Sequence, residues 1–227
     1  MTDALALADD ALIAAQRLAE WCSRGPELEE DIALANIALD QLGTARLLLT
    51  HAGQENGRTE DDLAFLRTDR EFRNCLLVEL PDGDFAVTMV KLLFLAAYQK
   101  PLYESLSEDG ELGPIAAKAV KESTYHLDHA KLWTIRLGDG TEESHRRAQA
   151  AVDDLWPYTH ELFEPPFDPL RTTWLETVQT TLEEATLTRP EDRWRPTGGR
   201  SGVHTEHLSL LLAEMQVLHR AHPGATW

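Results

Sequence analysis

The chain has 227 residues, 43% of them hydrophobic, and its 39 acidic and 21 basic residues give a formal net charge of −18. This length and composition allow one substantial hydrophobic core, so we expect a single domain over residues 1–227. The excess of negative charge repels phosphate backbones and anionic lipid surfaces, so we expect neither nucleic acid nor a membrane as a partner.

The two cysteines, Cys22 and Cys75, have no paired spacing. They do not indicate a disulfide framework, so we expect a reducing, cytoplasmic location. No basic segment followed by an apolar stretch opens the chain, and the apolar run over residues 87–98 is interrupted by Lys91. Because a membrane-spanning helix needs about 20 apolar residues, we expect no transmembrane segment.

Hydrophobic periodicity predicts helices along the whole chain, without a convincing strand alternation. Seven long helices are predicted over residues 3–22, 29–51, 85–107, 111–137, 141–163, 170–187 and 204–219, with a short helix over 61–68. Asp84 is the expected N-cap of the third long helix, and Pro101 should kink or divide that helix. The sequence therefore predicts an all-α helical bundle with a four-helix core and additional helices.

The helix over residues 29–51 is apolar on nearly every side, which is typical of a helix inside a bundle. Asn36, Asp40 and Thr44 follow one another at four-residue spacing and form a polar stripe within it. A buried carboxylate is costly unless a partner neutralises it. We therefore expect Asp40 to meet a charged side chain or a metal from neighbouring helices.

Helical bundles hold di-iron sites through glutamates and Glu-x-x-His motifs, so possible ligands decide the chemistry. The one such motif, Glu142 to His145, follows the expected cap Thr141, and a capping turn explains it better than a metal. In the fourth long helix, Glu122 and His126 lie one turn apart beside an apolar face. They could share a metal, or His126 could be a hydrogen-bonded core histidine.

The last helix carries a further acid and imidazole, since His207 and Glu214 are separated by seven residues beside apolar positions. The third long helix has no acidic residue over 85–99 and instead carries Lys91. A buried ammonium repels cations and could pair with Asp40 or Glu122. The alternative is a surface Lys91 whose stem lies along neighbouring leucines.

The segment RPTGGRSGVH, residues 195–204, places three glycines before the last helix. One interpretation is a loop that binds the phosphate of a nucleotide or of coenzyme A. The other is a loop shaped by the start of the helix or by a partner surface. The GxxxxGK[ST] order is absent and no strand precedes the segment, which favours the second interpretation.

Four segments carry a family resemblance: RLAEWCSRGPELEEDIALANIALDQLGTAR (17–46), LAFLRTDREFRNCLLVELPDGDFA (63–86), KESTYHLDHAKLWTIRLGDGT (121–141) and GGRSGVHTEHLSLLLAEMQ (198–216). Together they resemble the C subunits of phenylacetyl-CoA epoxidases, over nearly the whole chain. The resemblance implies a ferritin-like bundle that has lost its metal ligands. It also implies a related catalytic A subunit as partner, which holds a di-iron centre.

The reaction implied by the resemblance inserts one oxygen atom from O2 across the aromatic 1,2 bond of phenylacetyl-CoA. Electrons come from a reductase subunit that draws on NADPH. Gln41 and Thr44 stand where a metal-binding relative would have Glu and His. The resemblance therefore implies a structural subunit, stabilising its partner in aerobic phenylacetate degradation, with no catalytic, cofactor-binding or metal-ligating residue of its own.

A polar network with a structural role only is expected in the core, formed by Asp40, Lys91, Glu122, His126, His207 and Glu214. The partner surface is expected among surplus apolar residues of the first and third long helices and at Trp21, Trp156 and Trp174.

Two other functions stay open at this point. The first is a di-iron oxygenase in its own right, with Asp40, Glu122, His126, His207 and Glu214 as ligands. The second is a bundle that itself binds an acyl-CoA. Iron measurement on the isolated chain tests the first, and calorimetry with phenylacetyl-CoA tests the second, for which we expect no heat of binding.

Overall fold

The computed structural model describes residues 3–54 and 56–225, and every regular element in these residues is a helix. The described part contains α1 (Ala4–Ala19), α2 (Leu28–Gln54), α3 (Glu60–Phe65), α4 (Leu76–Glu79), α5 (Phe85–Leu106), α6 (Gly113–Gly138), α7 (Glu142–Leu155), α8 (Arg171–Glu184) and α9 (Glu206–Ala221). Short 3₁₀ segments lie at Asp69–Glu71, Trp156–Phe163, Asp168–Leu170 and Gly199–Ser201. The predicted all-α class is confirmed.

Local signals explain where several helices begin and end. The Asp84 carboxylate accepts hydrogen bonds from the backbone N–H groups of Ala86 and Val87, at 3.0 and 3.1 Å, which confirms it as the N-cap of α5. Pro101 does not divide α5, which continues to Leu106.

Residues 141–163 do not form the single helix that their periodicity predicts. α7 ends at Leu155, and 3₁₀ turns follow from Trp156 to Phe163. Pro157 explains the change, because it lacks the N–H that an α-helix would use and its ring crowds the carbonyl of the preceding turn.

The chain divides into two compact units, residues 1–81 with 197–227, and residues 82–196. The expected single domain over the whole chain stays a prediction. In the first unit, α1 packs along α2 and also contacts α4, while α3 and α4 both contact α9. The apolar positions of α1 at three- and four-residue spacing, among them Leu7, Ala11 and Leu18, are buried as the amphipathic pattern predicts.

α2 is not buried on all sides, so that prediction is wrong. Leu28, Ile32, Leu39 and Leu42 are 72%, 54%, 64% and 37% exposed and lie on one side of the helix. The predicted polar stripe is divided as well, since Asn36 is exposed, Asp40 half-buried and Thr44 buried. An apolar strip at the surface has the same composition as one in a core, and the sequence pattern did not separate them.

The second unit is built around α5, which contacts α6, α7 and α8. Its side chains are buried almost all round from Thr88 to Gln99. Trp156 and Trp174 pack with Phe94 in this core, and the indole N–H of Trp174 donates to the Phe94 carbonyl at 2.9 Å. Both tryptophans are 1% exposed, so the expectation that they form a partner surface is wrong.

Among the residues that the structure describes, two helices, α2 and α5, are long and apolar enough to cross a membrane by length and composition alone. The 22-residue α5 is thus longer than the apolar run that the sequence suggested. Its most apolar window is 78% buried, and a mostly buried core helix of a soluble protein meets the same criterion.

Candidate functional site

The structure places the six predicted network residues in three kinds of environment. Lys91 and His126 are buried, with 6% and 1% exposure. Asp40, Glu122 and His207 are half-buried. Glu214 is exposed, which corrects its placement in the core, because α9 buries its other side through Leu208, Leu211, Leu212 and Gln216. The six residues as one network stay a prediction.

Lys91 is a buried lysine, so the alternative of a surface residue is wrong. Its ammonium forms an ion pair with the Asp82 carboxylate, and the two side chains are 8% and 7% exposed. Asp82 directly precedes the turn into α5, and its carbonyl accepts a hydrogen bond from the Thr88 hydroxyl at 3.1 Å. Asp82 was not among the partners that the sequence suggested, and the pairing with Asp40 or Glu122 stays a prediction.

Glu122 forms an ion pair with Lys118, one turn earlier on α6. Lys118 is half exposed, so this pair is of the solvent-screened kind that contributes little to stability.

Glu142 and His145 lie in the capping turn that the sequence indicated. The Thr141 hydroxyl accepts from the Ser144 backbone N–H at 3.1 Å, and the Ser144 hydroxyl accepts from the Thr141 N–H at 2.9 Å. The His145 Nδ1 lies 2.7 Å from the Gly138 carbonyl oxygen. The turn therefore holds the end of α6 beside the start of α7.

A metal requires several ligands at one place. Within residues 3–54 and 56–225, no group of three or more His, Cys, Asp or Glu side chains is arranged to hold a metal ion. The predicted absence of a metal stays a prediction.

A set of buried charges in the first unit was missed by sequence reasoning. Asp9 is fully buried and accepts two hydrogen bonds from the Arg67 guanidinium, one of them 2.9 Å long. The Arg73 backbone N–H adds a third at 2.8 Å, and the guanidinium of Arg67 lies 4.1 Å from the centre of the Phe72 ring. Burial raises the pKa of Asp9, and the hydrogen bond and charge of Arg67 oppose that shift.

The neighbouring Asp10 holds the glycine-rich segment to α1. Two guanidinium nitrogens of Arg200 lie 2.9 and 2.7 Å from its two oxygens, and the Cys75 backbone N–H donates to it at 2.7 Å. Gly202 has a φ of +76°, and a Cβ there would lie 2.2 Å from the Arg70 carbonyl oxygen. These contacts favour the interpretation of a loop shaped by the fold over that of a phosphate-binding loop.

Glu79 is the third buried acid, and its side chain has no exposed surface. Its oxygens accept from the Asn74 amide at 2.9 Å and the Thr205 backbone N–H at 2.6 Å, and one lies 2.7 Å from Nδ1 of His204. Arg17 donates to the Glu79 carbonyl at 3.1 and 2.7 Å.

Both oxygens of Asp9, Asp10 and Glu79 are occupied by donors, so these acids join α1, the segment over 67–79 and the segment over 198–205. Each carboxylate has three partners distributed over its two oxygens, and such buried, satisfied networks stabilise a fold. One sequence signal could have found the set. Asp9 and Asp10 are adjacent acids between two apolar stretches of an alanine-rich helix, residues 4–8 and 11–15.

Comparison with known proteins assigns the chain to a family. A family model described as phenylacetic acid catabolic protein matches residues 1–227. The chain is 45% identical over 240 aligned residues to the C subunit of 1,2-phenylacetyl-CoA epoxidase from Escherichia coli (strain K12), covering 98% of this chain and 97% of that relative. The family has a ferritin-like helical fold, which agrees with the all-α structure. The chain therefore belongs to the phenylacetic acid catabolic protein family.

Proposed function

We propose that the chain is the non-catalytic structural subunit of a multicomponent 1,2-phenylacetyl-CoA epoxidase. It pairs with the di-iron catalytic A subunit and stabilises it in aerobic phenylacetate degradation. The observation that carries the proposal is the 45% identity to the C subunit of such an epoxidase, over 98% of this chain and 97% of the relative. Because the similarity runs over both chains nearly end to end, it concerns the whole subunit.

The side chains at two buried positions of α2 support a role without catalysis. Gln41 and Thr44 are 3% and 4% exposed, so an amide and a hydroxyl face the interior. Non-haem iron is held in proteins by carboxylates and imidazoles, and neither group here is a good substitute. The chain would thus retain the helical frame of a di-iron protein with different side chains inside.

The buried pair of Lys91 and Asp82 supports the same role. A buried ammonium in the second turn of α5 repels a cation, and its partner carboxylate is already neutralised by it. In our proposal the di-iron centre belongs to the A subunit and the NADPH-linked electrons to the reductase subunit. This chain contributes no catalytic, cofactor-binding or metal-ligating residue, and the complex is cytoplasmic.

Co-expression of the chain with the catalytic A subunit tests this proposal. We expect the two chains to purify together in a fixed ratio and, after separation, to find iron on the A subunit only. Turnover of phenylacetyl-CoA with O2 and the reductase should require the A subunit. Stoichiometric iron on this chain alone, or turnover by it, would contradict the proposal and favour a di-iron oxygenase in its own right.

A further inference from the structure

The exposed apolar side of α2 is the least expected surface of the first unit. Leu28, Ile32, Leu39 and Leu42, here called the α2 strip, follow one line along the helix. From the first to the last of them the helix rises about 21 Å, which corresponds to about four turns of a second helix laid beside it. Contiguous apolar surface of this kind marks interaction sites.

A groove continues the strip toward α1. It has a volume of 310 Å³, and nine of its ten lining side chains are apolar, among them Leu12 and Leu18 of α1 and Leu39 and Leu42 of α2. Leu39 and Leu42 belong to both the groove and the strip. A partner side chain of large apolar type can enter such a groove and serve as the central anchor of an interface.

The charges around the strip select the partner. The strip begins among four acids within five residues, Glu27, Glu29, Glu30 and Asp31, of which Glu27 and Glu29 are exposed. The whole chain has a net charge of −18, so a second copy would bring further charge of the same sign to the interface. Opposite charges across an interface favour association, whereas like charges oppose it.

We propose that the α2 strip and its groove bind one amphipathic helix of the catalytic partner subunit, a helix whose apolar face is flanked by lysine or arginine near Glu27 and Glu29. The assignment rests on the proposed function, to which it adds the surface and the chemistry of the partner. It replaces the expected interface at Trp156 and Trp174, which are buried in the second unit.

Four variants, matched in pairs, test the assignment by calorimetric titration against the purified A subunit. Leu39→Lys lies in the strip, and its control Leu210→Lys changes a leucine of similar exposure, 66%, on α9. Glu29→Lys lies beside the strip, and Glu214→Lys is its control on α9. We expect Leu39→Lys and Glu29→Lys to raise the Kd about tenfold or more, and the two controls to raise it less than about threefold.

The single exposed cysteine offers an independent measurement. Cys22 lines the groove and is exposed, whereas Cys75 is buried. We expect reaction of Cys22 with a maleimide to slow about fivefold or more when the A subunit is bound, because the rim of an interface excludes solvent from its centre. In the Leu39→Lys variant, Cys22 should react with the maleimide at the fast rate even at a concentration of the A subunit that saturates the wild-type chain.

The outcomes separate this assignment from the proposed function. If Leu39→Lys binds the A subunit as tightly as the wild type does, or if Leu210→Lys weakens binding equally, the assignment of the surface is wrong. An unchanged reaction rate of Cys22 in the presence of the A subunit would overturn it as well. These results leave the proposed function untouched. A dimer of the isolated chain that Leu39→Lys dissociates would assign the strip to a second copy instead. If the wild-type chain fails to bind the A subunit, that result contradicts the proposed function itself.

Discussion

At the scale of single residues, the pair of Arg67 and Asp9 removes two opposite charges from water in the first unit. The side chains are 2% and 0% exposed, and the two terminal guanidinium nitrogens donate to the carboxylate. Bringing such charges into the interior costs free energy that their attraction only partly recovers. Removing Arg67 leaves the Asp9 carboxylate buried with only the Arg73 backbone N–H as a donor and without an opposite charge, which is the costly case.

We therefore predict that Arg67→Met lowers the free energy of unfolding by about 3–5 kcal/mol. The matched control is Arg46→Met, since Arg46 forms its ion pair with Glu60 at the surface with 65% of its side chain exposed. That control should cost less than about 1 kcal/mol. Urea unfolding at neutral pH measures the free energy of unfolding of both variants. Equal losses in the two would contradict our argument that the buried ion pair is the costlier one to break.

At the scale of elements, the short helix α3 depends on its N-terminal capping box. The Thr59 hydroxyl accepts from the Asp62 backbone N–H at 3.1 Å, and the Asp62 carboxylate accepts from the Thr59 backbone N–H at 2.8 Å. The hydrogen bond from the Thr59 backbone, followed by that from its hydroxyl, lowers the pKa of Asp62. The capping box thus favours the charged carboxylate in the folded state.

The contribution of Asp62 to stability depends on pH. Because the pKa of Asp62 is lower in the folded than in the unfolded state, its contribution to stability is present above the unfolded value, near 4, and is lost as the pH falls through the folded value. We predict that Asp62→Asn lowers the urea midpoint at pH 7 and that its difference from wild type shrinks toward pH 3. Asp61→Asn, outside the capping box, is the control. A difference that stays constant with pH would contradict the prediction.

Elements were predictable to the extent that their signals are local. The Asp84 cap follows from neighbouring residues and is present in the structure, whereas the helix that is buried almost all round is α5 and not α2, for which it was predicted. Asp9 and Arg67 are 58 positions apart, and Asp10 and Arg200 are 190 apart, so no local pattern indicates these pairs. The exposed strip of α2 was missed because the apolar pattern of a helix looks the same whether its side chains pack inside this chain or against a partner.

At the scale of the whole molecule, family membership could be inferred from the sequence because the resemblance runs over nearly the whole chain. The predicted network of six residues was less accessible. Its prediction requires knowledge of which faces of distant helices meet. Glu214 is an example, because its seven-residue spacing from His207 fits a buried and an exposed face of the last helix equally well. The structure assigns Glu214 to the exposed face.

A stabilising subunit has a thermodynamic signature that a catalytic one need not have. A protein that binds the folded but not the unfolded A subunit stabilises it by mass action, by about 2.7 kcal/mol at a concentration 100 times the Kd. We predict that the unfolding temperature of the A subunit rises steadily with added chain, by several degrees at the highest ratios. Scanning calorimetry at increasing ratios measures this rise.

The control must separate specific binding from the effect of negative charge. The heat-unfolded chain carries the same net charge of −18 but presents no folded α2 strip, so it should leave the unfolding temperature unchanged. Raising the salt concentration screens the contribution of Glu27 and Glu29 but leaves the apolar contacts in place, so part of the rise should persist. If the unfolded chain raises the unfolding temperature of the A subunit equally, or if salt abolishes the rise completely, the interaction is attraction between opposite charges only. Either result would contradict a helix docked on the α2 strip.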